Sequence, residues 1–215
     1  MRAKSPARKV RTVGILIFDD VEVLDFCGPF EVFSVARAAG GNGEDAPLFQ
    51  VITIAERART VKCVGGLLVQ PHATIGDHPP LDILVVPGGF GTRRERLNPV
   101  LLDWIAAQDE QTELTTSVCT GAFLLAERGL LDGRRATTHW SAIDRMRELY
   151  PQIEVVTDVR YVDEGRIVTS AGISAGIDMS LHIITRLHGE ETARWTARRM
   201  EYEPRLSGGT PGVSS

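Results

Sequence analysis

The segment ELTTSVCTGAFLLAERGLLDGRRATTHW, residues 113–140, decides the fold. Its β-branched residues at 113–119 predict a buried strand, and the sequence GAFLLAERG that follows predicts a helix. Cys119 stands where the strand ends and the helix begins. At this point its role is open, because a cysteine here can be a nucleophile, a redox switch or a small apolar residue of the core.

The same alternation of strand and helix continues along the chain. Apolar runs at 12–18, 49–55 and 81–89 predict further strands, buried on both faces. The helical pattern GPFEVFSVARAA has Pro29 suited to its first turn, and NPVLLDWIAAQDEQ has Asn98 as its N-cap.

Two-stranded elements are predicted at 61–71, turning on two glycines, and at 154–172. Two helical patterns close the chain, SAGIDMSLHIITRLHG and EETARWTARRMEY. Alternating strands and helices predict an α/β fold, a mostly parallel sheet with helices on both faces. Functional groups then gather at the carboxyl ends of the strands. Four segments converge there: the loop after residue 18, the Pro87–Gly91 turn, Cys119 and Gly172.

Composition and charge describe an ordinary globular domain. The chain has 215 residues, 43% of them hydrophobic, and a net charge of −4. We expect one domain at 11–203, between a basic N-terminal tail at 1–10 and an irregular C-terminal tail at 204–215. The charge favours no nucleic-acid partner, and no run reaches the ~18 apolar residues of a membrane span.

The cysteines and histidines argue against metal or disulfide chemistry. The chain has three widely spaced cysteines and no CxxC motif. We therefore expect neither a disulfide framework nor a zinc site. We expect instead a reducing, cytoplasmic setting. The histidines show no ligand spacing, so no metal is expected.

The residues around Cys119 suit a nucleophile elbow, a tight strand-to-helix turn that needs small residues two positions before and after the nucleophile. Ser117 and Gly121 meet that need. The start of a helix favours an anion, so we expect a lowered thiol pKa and a thiolate at neutral pH.

Three other groups could assist the thiol. Gly88 and Gly89 follow a strand, where their N–H groups could stabilise a developing negative charge or form only a plain turn. Asp25 lies in an apolar setting that would raise its pKa, so it could hold a proton near the thiol, or it could cap a helix. His139 could activate Cys119 or simply pack beside Trp140; spacing alone supports no triad.

The motifs LDFCGPFEVF, DILVVPGGFG, SVCTGAFLLAERGLLDGRRATTHW and TSAGISAGIDMSLH together resemble the ThiJ/PfpI superfamily, related to class I glutamine amidotransferases. The resemblance covers residues 11–203. It implies a flavodoxin-like three-layer sandwich, a homodimer and a reactive cysteine at the elbow. Cys119 matches that cysteine, Asp25 the acidic partner and Gly89 the backbone donor.

Two branches of the superfamily are most similar. Isocyanide hydratases have aspartate at the acidic position and Cys-Thr-Gly at the elbow, and sensor domains of AraC-type regulators share CTGAFLLAERGLLDGRRATTHW. No pair of recognition helices follows RRMEYEP, which disfavours a self-contained DNA-binding regulator. Thr120 replaces the histidine of the peptidase-like branch, and Asp25 the glutamate usual in the deglycase and redox-sensor branch.

The resemblance implies that the Cys119 thiolate attacks an isocyanide carbon while protonated Asp25 delivers a proton. Water then releases an N-formamide. Thr120 and the amides of Gly88 and Gly89 would position the substrate or the thiolate, and Ile173, after Gly172, would line an apolar wall. The only partner implied, apart from a second copy, is a small electrophilic substrate; no cofactor is needed.

Two alternatives stay open. One is a ligand- or redox-sensing module in which Cys119 is oxidised. The other is a glyoxalase- or deglycase-like activity on 2-oxoaldehydes, because a thiolate attacks aldehydes too.

Overall fold

A seven-stranded sheet forms the centre of the protein in the computed structural model, which describes residues 9–38 and 46–204. The strands are β1 Arg11–Leu16, β2 Phe49–Ala55, β3 Val61–Lys62, β4 Leu68–Val69, β5 Ala73–Thr74, β6 Ile83–Val86, β7 Leu114–Val118, β8 Arg135–Ala136, β9 Glu154–Val155, β10 Tyr161–Asp163 and β11 Ile167–Ser170. The helices are α1 Val23–Val35, α2 Thr92–Glu95, α3 Pro99–Gln111, α4 Ala122–Ala126, α5 Ile143–Leu149, α6 Ala175–His188 and α7 Glu190–Arg199.

The strand order in the sheet is β10-β11-β7-β6-β1-β2-β5, and every pair is parallel except β10 with β11. Strands β6, β7 and β11 are buried along their whole length, which explains why their sequences are continuous runs of apolar, threonine and serine residues. Val86 pairs with Ser117, and Ser170 pairs with Val118. This register brings the carboxyl ends of the three strands level with one another.

Apart from α5, the helices pack in two groups. Helices α1, α6 and α7 contact one another, while α4 contacts α2 and α3. With the sheet between them they form the three-layer α/β sandwich that the sequence predicts. No helix among residues 9–38 and 46–204 is long and apolar enough to cross a membrane.

Helix α1 begins five residues earlier than predicted. Pro29 lies inside the helix and not in its first turn. The cause is the preceding segment, where the Glu22 N–H donates to the Gly88 carbonyl (3.0 Å) and Val21 bridges to Gly89. The chain is thereby fixed against the turn after β6, and the helix starts directly afterwards, with Asp25 in its first turn.

The smaller elements follow the sequence closely, with one difference. Strands β3 and β4 form the predicted antiparallel hairpin, and the Asn98 side chain caps α3 by accepting the Leu101 N–H. Only β10 and β11 form the predicted two-stranded element, because residues 154–155 pair with β8 instead. The predicted tails lie almost entirely outside the described residues, and the domain bounds and the homodimer stay predictions.

Gly121 supports a test of how β6 meets the elbow. A Cβ there would lie 2.9 Å from the Pro87 carbonyl carbon and closer still to the Val86 carbonyl oxygen. These are backbone atoms and cannot rotate away. Because Gly121 has ordinary helical angles, the cost of a side chain is steric and not conformational.

We expect Gly121→Ala to lower the free energy of unfolding by about 1–3 kcal/mol, the usual cost of overpacking. Urea denaturation measures it. The matched control is Gly76→Ala, since a Cβ at Gly76 meets no atom within 4 Å. Equal stability of the two variants would contradict the close approach at Gly121.

Candidate active site

Cys119 occupies the strained position of the predicted elbow. It begins the 3-10 turn that joins β7 to α4, and its φ of 56° lies in the left-handed region that non-glycine residues rarely adopt. Two hydrogen bonds hold this conformation: the Thr138 hydroxyl donates to the Cys119 carbonyl (2.8 Å), and the Cys119 N–H donates to the Ala171 carbonyl (3.3 Å). The strained conformation is therefore held at both the N–H and the carbonyl of Cys119.

Small residues give the thiol its space. A Cβ on Gly172 would lie 3.0 Å from the Cys119 sulfur, so a side chain there would displace the thiol. Ser117 is fully buried at the end of β7, two residues before the cysteine. The need for small residues around the nucleophile thus extends to β11, which carries Gly172 just past its end.

Asp25 is fully buried in the first turn of α1. Its Oδ2 accepts the Gly88 N–H (3.0 Å), while Oδ1 is buried and accepts no hydrogen bond within the described part of the chain. The capping alternative is not what the structure shows, because the N-cap of α1 is Glu22 and Asp25 lies inside the helix, in its first turn. The carboxyl group instead points to the end of β6.

Asp25 and Cys119 interact and perturb each other. Burial raises the pKa of Asp25 to about 7; the hydrogen bond from the Gly88 N–H and the nearby thiol oppose the rise, and Glu22 adds to it. Burial also raises the pKa of the Cys119 thiol, and the Asp25 charge raises it further, against hydrogen bonds from Thr120. The expectation of a lowered thiol pKa was wrong, because desolvation beside a carboxylate outweighs the favourable end of a short helical turn.

The two glycines after β6 position other groups of the site. The Gly88 N–H is taken by Asp25, and the Gly89 N–H donates to the Thr120 hydroxyl oxygen (3.1 Å). The Thr92 hydroxyl in turn donates to the Gly89 carbonyl (2.8 Å). This differs from the expectation that both N–H groups face a developing charge: their hydrogen bonds are already made within the protein.

His139 forms no hydrogen bond with Cys119 among the described residues. Its Nδ1 accepts the Ser141 N–H (3.3 Å) and lies 2.8 Å from the Ser141 hydroxyl. Since Nδ1 is an acceptor, the neutral ring carries its hydrogen on Nε2. A Cβ on Gly172 would meet the ring carbons, so the imidazole covers that glycine. The arrangement is a Cys–Asp pair with a nearby histidine, not a Cys–His triad.

A cleft of about 320 Å³ opens above the thiol. Of the residues predicted for the site, Asp25, Gly88 and Gly172 are not part of its wall, although each contacts a residue that is. The other predicted residues line it: Gly89, Cys119, Thr120, His139 and Ile173.

Sequence reasoning missed several contributors. The cleft is also lined by Glu22, Phe90, Arg93 and Arg145. The Thr138 hydroxyl stabilises the elbow through its hydrogen bond to the Cys119 carbonyl. Phe90 and Arg93 directly follow the glycine turn in GGFGTRRER, which was a usable signal of proximity. No sequence signal pointed to Arg145, because α5 reaches the site only through the tertiary fold. Within residues 9–38 and 46–204, no three His, Cys, Asp or Glu side chains form a group that could hold a metal.

Known proteins share sequence with this chain over most of its length. The model of the DJ-1/PfpI family matches residues 11–186. The chain is 36% identical to the isonitrile hydratase of Pseudomonas putida over 193 residues, which cover 89% of this chain and 78% of that protein. It is 30% identical to the transcriptional regulator GbdR of Pseudomonas aeruginosa, over 91% of this chain and 52% of the regulator. The chain thus spans about half the length of that regulator.

Solved structures show the same fold. A ThiJ/PfpI family protein from Pseudomonas syringae superposes with a TM-score of 0.81 at 28% identity, covering 94% of this chain and 79% of that one. DJ-1beta of Drosophila melanogaster superposes with a TM-score of 0.75 at 20% identity, over 91% of this chain and all of that one. At that identity the second likeness concerns the fold alone.

The raised pKa of Asp25 predicts how stability depends on pH. Its folded-state pKa of about 7 exceeds the ordinary value of 3.8, so the folded protein binds a proton that the unfolded chain has lost. Stability relative to Asp25→Asn is therefore greatest at low pH and falls as pH rises toward 7 and above.

At about 1.4 kcal/mol per pKa unit, the free energy of unfolding of the wild type should fall relative to Asp25→Asn by roughly 3 kcal/mol between pH 5 and pH 8. Urea denaturation at both pH values measures this. Asp77→Asn, at an exposed position, is the control and should follow the wild type. A difference between wild type and Asp25→Asn that does not change with pH would refute the shift.

Proposed function

The chain belongs to the DJ-1/PfpI family, and we propose that it is an isocyanide hydratase, converting an isocyanide and water to an N-formamide. The observation that carries the proposal is the buried pair of Cys119 and Asp25. An acid with a pKa of about 7 beside a thiol is suited to moving one proton to and fro at neutral pH. The likeness to a named isonitrile hydratase supports the same chemistry.

The first half-reaction needs only these two side chains. The Asp25 carboxylate accepts the thiol proton of Cys119, which leaves a thiolate beside a neutral acid. The sulfur attacks the terminal carbon of the isocyanide and forms a carbon–sulfur bond, and Asp25 returns the proton to that carbon. The product is a thioimidate, R–N=CH–S, covalently attached to the enzyme.

The second half-reaction adds water. Asp25, again a carboxylate, accepts a proton from a water molecule as the water oxygen attacks the thioimidate carbon, and passes this proton to the nitrogen. The carbon–sulfur bond of this adduct then breaks with its electrons going to sulfur, and Asp25 transfers the proton of the adduct's hydroxyl group to that sulfur. An N-formamide leaves and the thiol is restored, so the sum is one isocyanide plus one water.

The buried thiol is a weaker match to a redox sensor. Sensor cysteines are accessible and have low pKa values, whereas Cys119 is 6% exposed and has a raised pKa. A nucleophile tolerates both properties, since the adjacent carboxyl group removes the proton only when the substrate is bound. This comparison favours catalysis over the sensing alternative.

The nucleophile is tested by substitution. We expect purified wild type to form an N-formamide from cyclohexyl or phenyl isocyanide, and Cys119→Ala to form none above the uncatalysed rate. Formamide can be quantified by NMR or chromatography. Cys27→Ala is the matched control: this half-buried cysteine lies in α1 away from the cleft wall, and its loss should leave the rate unchanged. Turnover surviving in Cys119→Ala would exclude a cysteine nucleophile.

The shared proton is tested by pH. Below pH 7 both groups hold protons and no base is available, so wild-type kcat/KM should rise with pH through an apparent pKa of about 7 and then level off. Asp25→Asn should lose this limb, and its kcat/KM at pH 8 should fall by about 10²–10⁴, the usual worth of a positioned general acid or base. If the limb persists in Asp25→Asn but disappears in His139→Gln, the histidine and not Asp25 is the titrating group.

A further inference from the structure

The wall of the cleft above Cys119 is rich in arginine. Arg93 from α2, Arg96 just after it and Arg145 from α5 all line the cleft, and Glu22 is the acidic residue of the wall. Arg96 is neutralised, since its guanidinium contacts Glu127 at 2.8 Å. The other two arginines need a separate explanation.

Arg93 and Arg145 form no ion pair with any carboxylate of the described residues. Arg93 instead lies over the ring of Phe90, with its guanidinium carbon 5.4 Å from the ring centroid. Such a cation–π contact orients the guanidinium without neutralising it. Phe90 is itself 64% exposed at the mouth of the cleft, so the contact keeps a positive charge at the entrance.

The walls divide the cleft by chemistry. The reacting groups, Cys119 and Thr120, are buried or half-buried, whereas Arg93 and Arg145 are exposed. A bound molecule would therefore present one end to the thiol and the other to the arginines. The volume of about 320 Å³ exceeds the ~150 Å³ in which an apolar cavity can hold benzene, so the cleft has room for a substituted ring.

We propose, building on the hydratase function, that the substrate carries a carboxylate at the end remote from its isocyanide carbon, and that Arg93 and Arg145 bind this carboxylate. The planar guanidinium group donates two parallel hydrogen bonds to a carboxylate, which makes arginine the side chain best suited to recognise one. Glu22 opposes an anion, but it carries one charge against two. The Glu22 charge acts on Asp25, beside the thiol. Glu22 would therefore disfavour a substrate bound with its carboxylate next to the thiol.

The test compares two substrates of nearly the same shape, 4-isocyanobenzoate and the neutral 4-isocyanobenzamide. Wild type should hydrate the benzoate with a higher kcat/KM. Arg93→Gln and Arg145→Gln should each lower the benzoate-to-benzamide ratio of kcat/KM by about threefold to tenfold, a modest factor because both arginines are solvated. Arg145→Lys, which keeps the charge, should retain part of the preference, and added salt should reduce it in wild type.

The matched control is Arg198→Gln, which removes the same charge from an exposed position on α7 and should leave the ratio unchanged. A wild-type ratio at or below one, or a ratio that neither cleft variant alters, would overturn the proposal.

Failure of the hydratase function is distinguishable from failure of this proposal. If neither compound is hydrated, calorimetric binding of benzoate and benzamide to wild type and to the two cleft variants decides the matter. Preferential binding of benzoate that is lost in Arg93→Gln and Arg145→Gln would support the carboxylate site without the hydratase. Binding of benzoate no tighter than benzamide would refute it.

Discussion

The hydrogen bond from the Gly88 N–H to the Asp25 carboxylate is the interaction on which the site depends. It joins the first turn of α1 to the end of β6, two segments 63 residues apart in the sequence. A fully buried carboxylate is costly when one oxygen accepts no hydrogen bond from the described residues, and the bond from Gly88 is the main one opposing that cost. The bond therefore fixes the acid beside the thiol without making it an ordinary, fully ionised aspartate.

The same turn determines the other half of the site. Gly89 directs its N–H to Thr120, and a side chain on Gly88 would meet the backbone nitrogen and hydroxyl of Thr120 at 2.5–2.6 Å. Glycine is thus required at position 88 by close approach and at position 89 by its φ of 122°. The parallel register of β6 and β7 makes this approach possible, because the strands end at the same level. The parallel register and the glycine turn therefore act together to position Cys119 beside Asp25.

Much of this could be predicted from sequence because the signals are local. Continuous apolar strands, the capping Asn98 and the small neighbours of Cys119 each follow from short-range rules, and they gave the α/β sandwich and the elbow correctly. The start of α1 could not be predicted, since it depends on Glu22 bonding to Gly88 across the sheet. The prediction of a lowered thiol pKa failed for a similar reason. It was based on the helix that follows Cys119, which the sequence shows, whereas burial beside Asp25 arises only in the packed site.

The occupied glycine amides bear on which chemistry the site favours. Acyl transfer builds negative charge on an oxygen and needs N–H groups that are free to receive it. Attack on an isocyanide builds charge on carbon instead, and a proton removes that charge at once. A site in which the Gly88 N–H holds a protonatable carboxyl group and the Gly89 N–H is bound to Thr120 is poorly equipped for the first reaction and well equipped for the second. The use made of Gly88 and Gly89 therefore argues for proton delivery by Asp25 more specifically than the presence of Cys119 does.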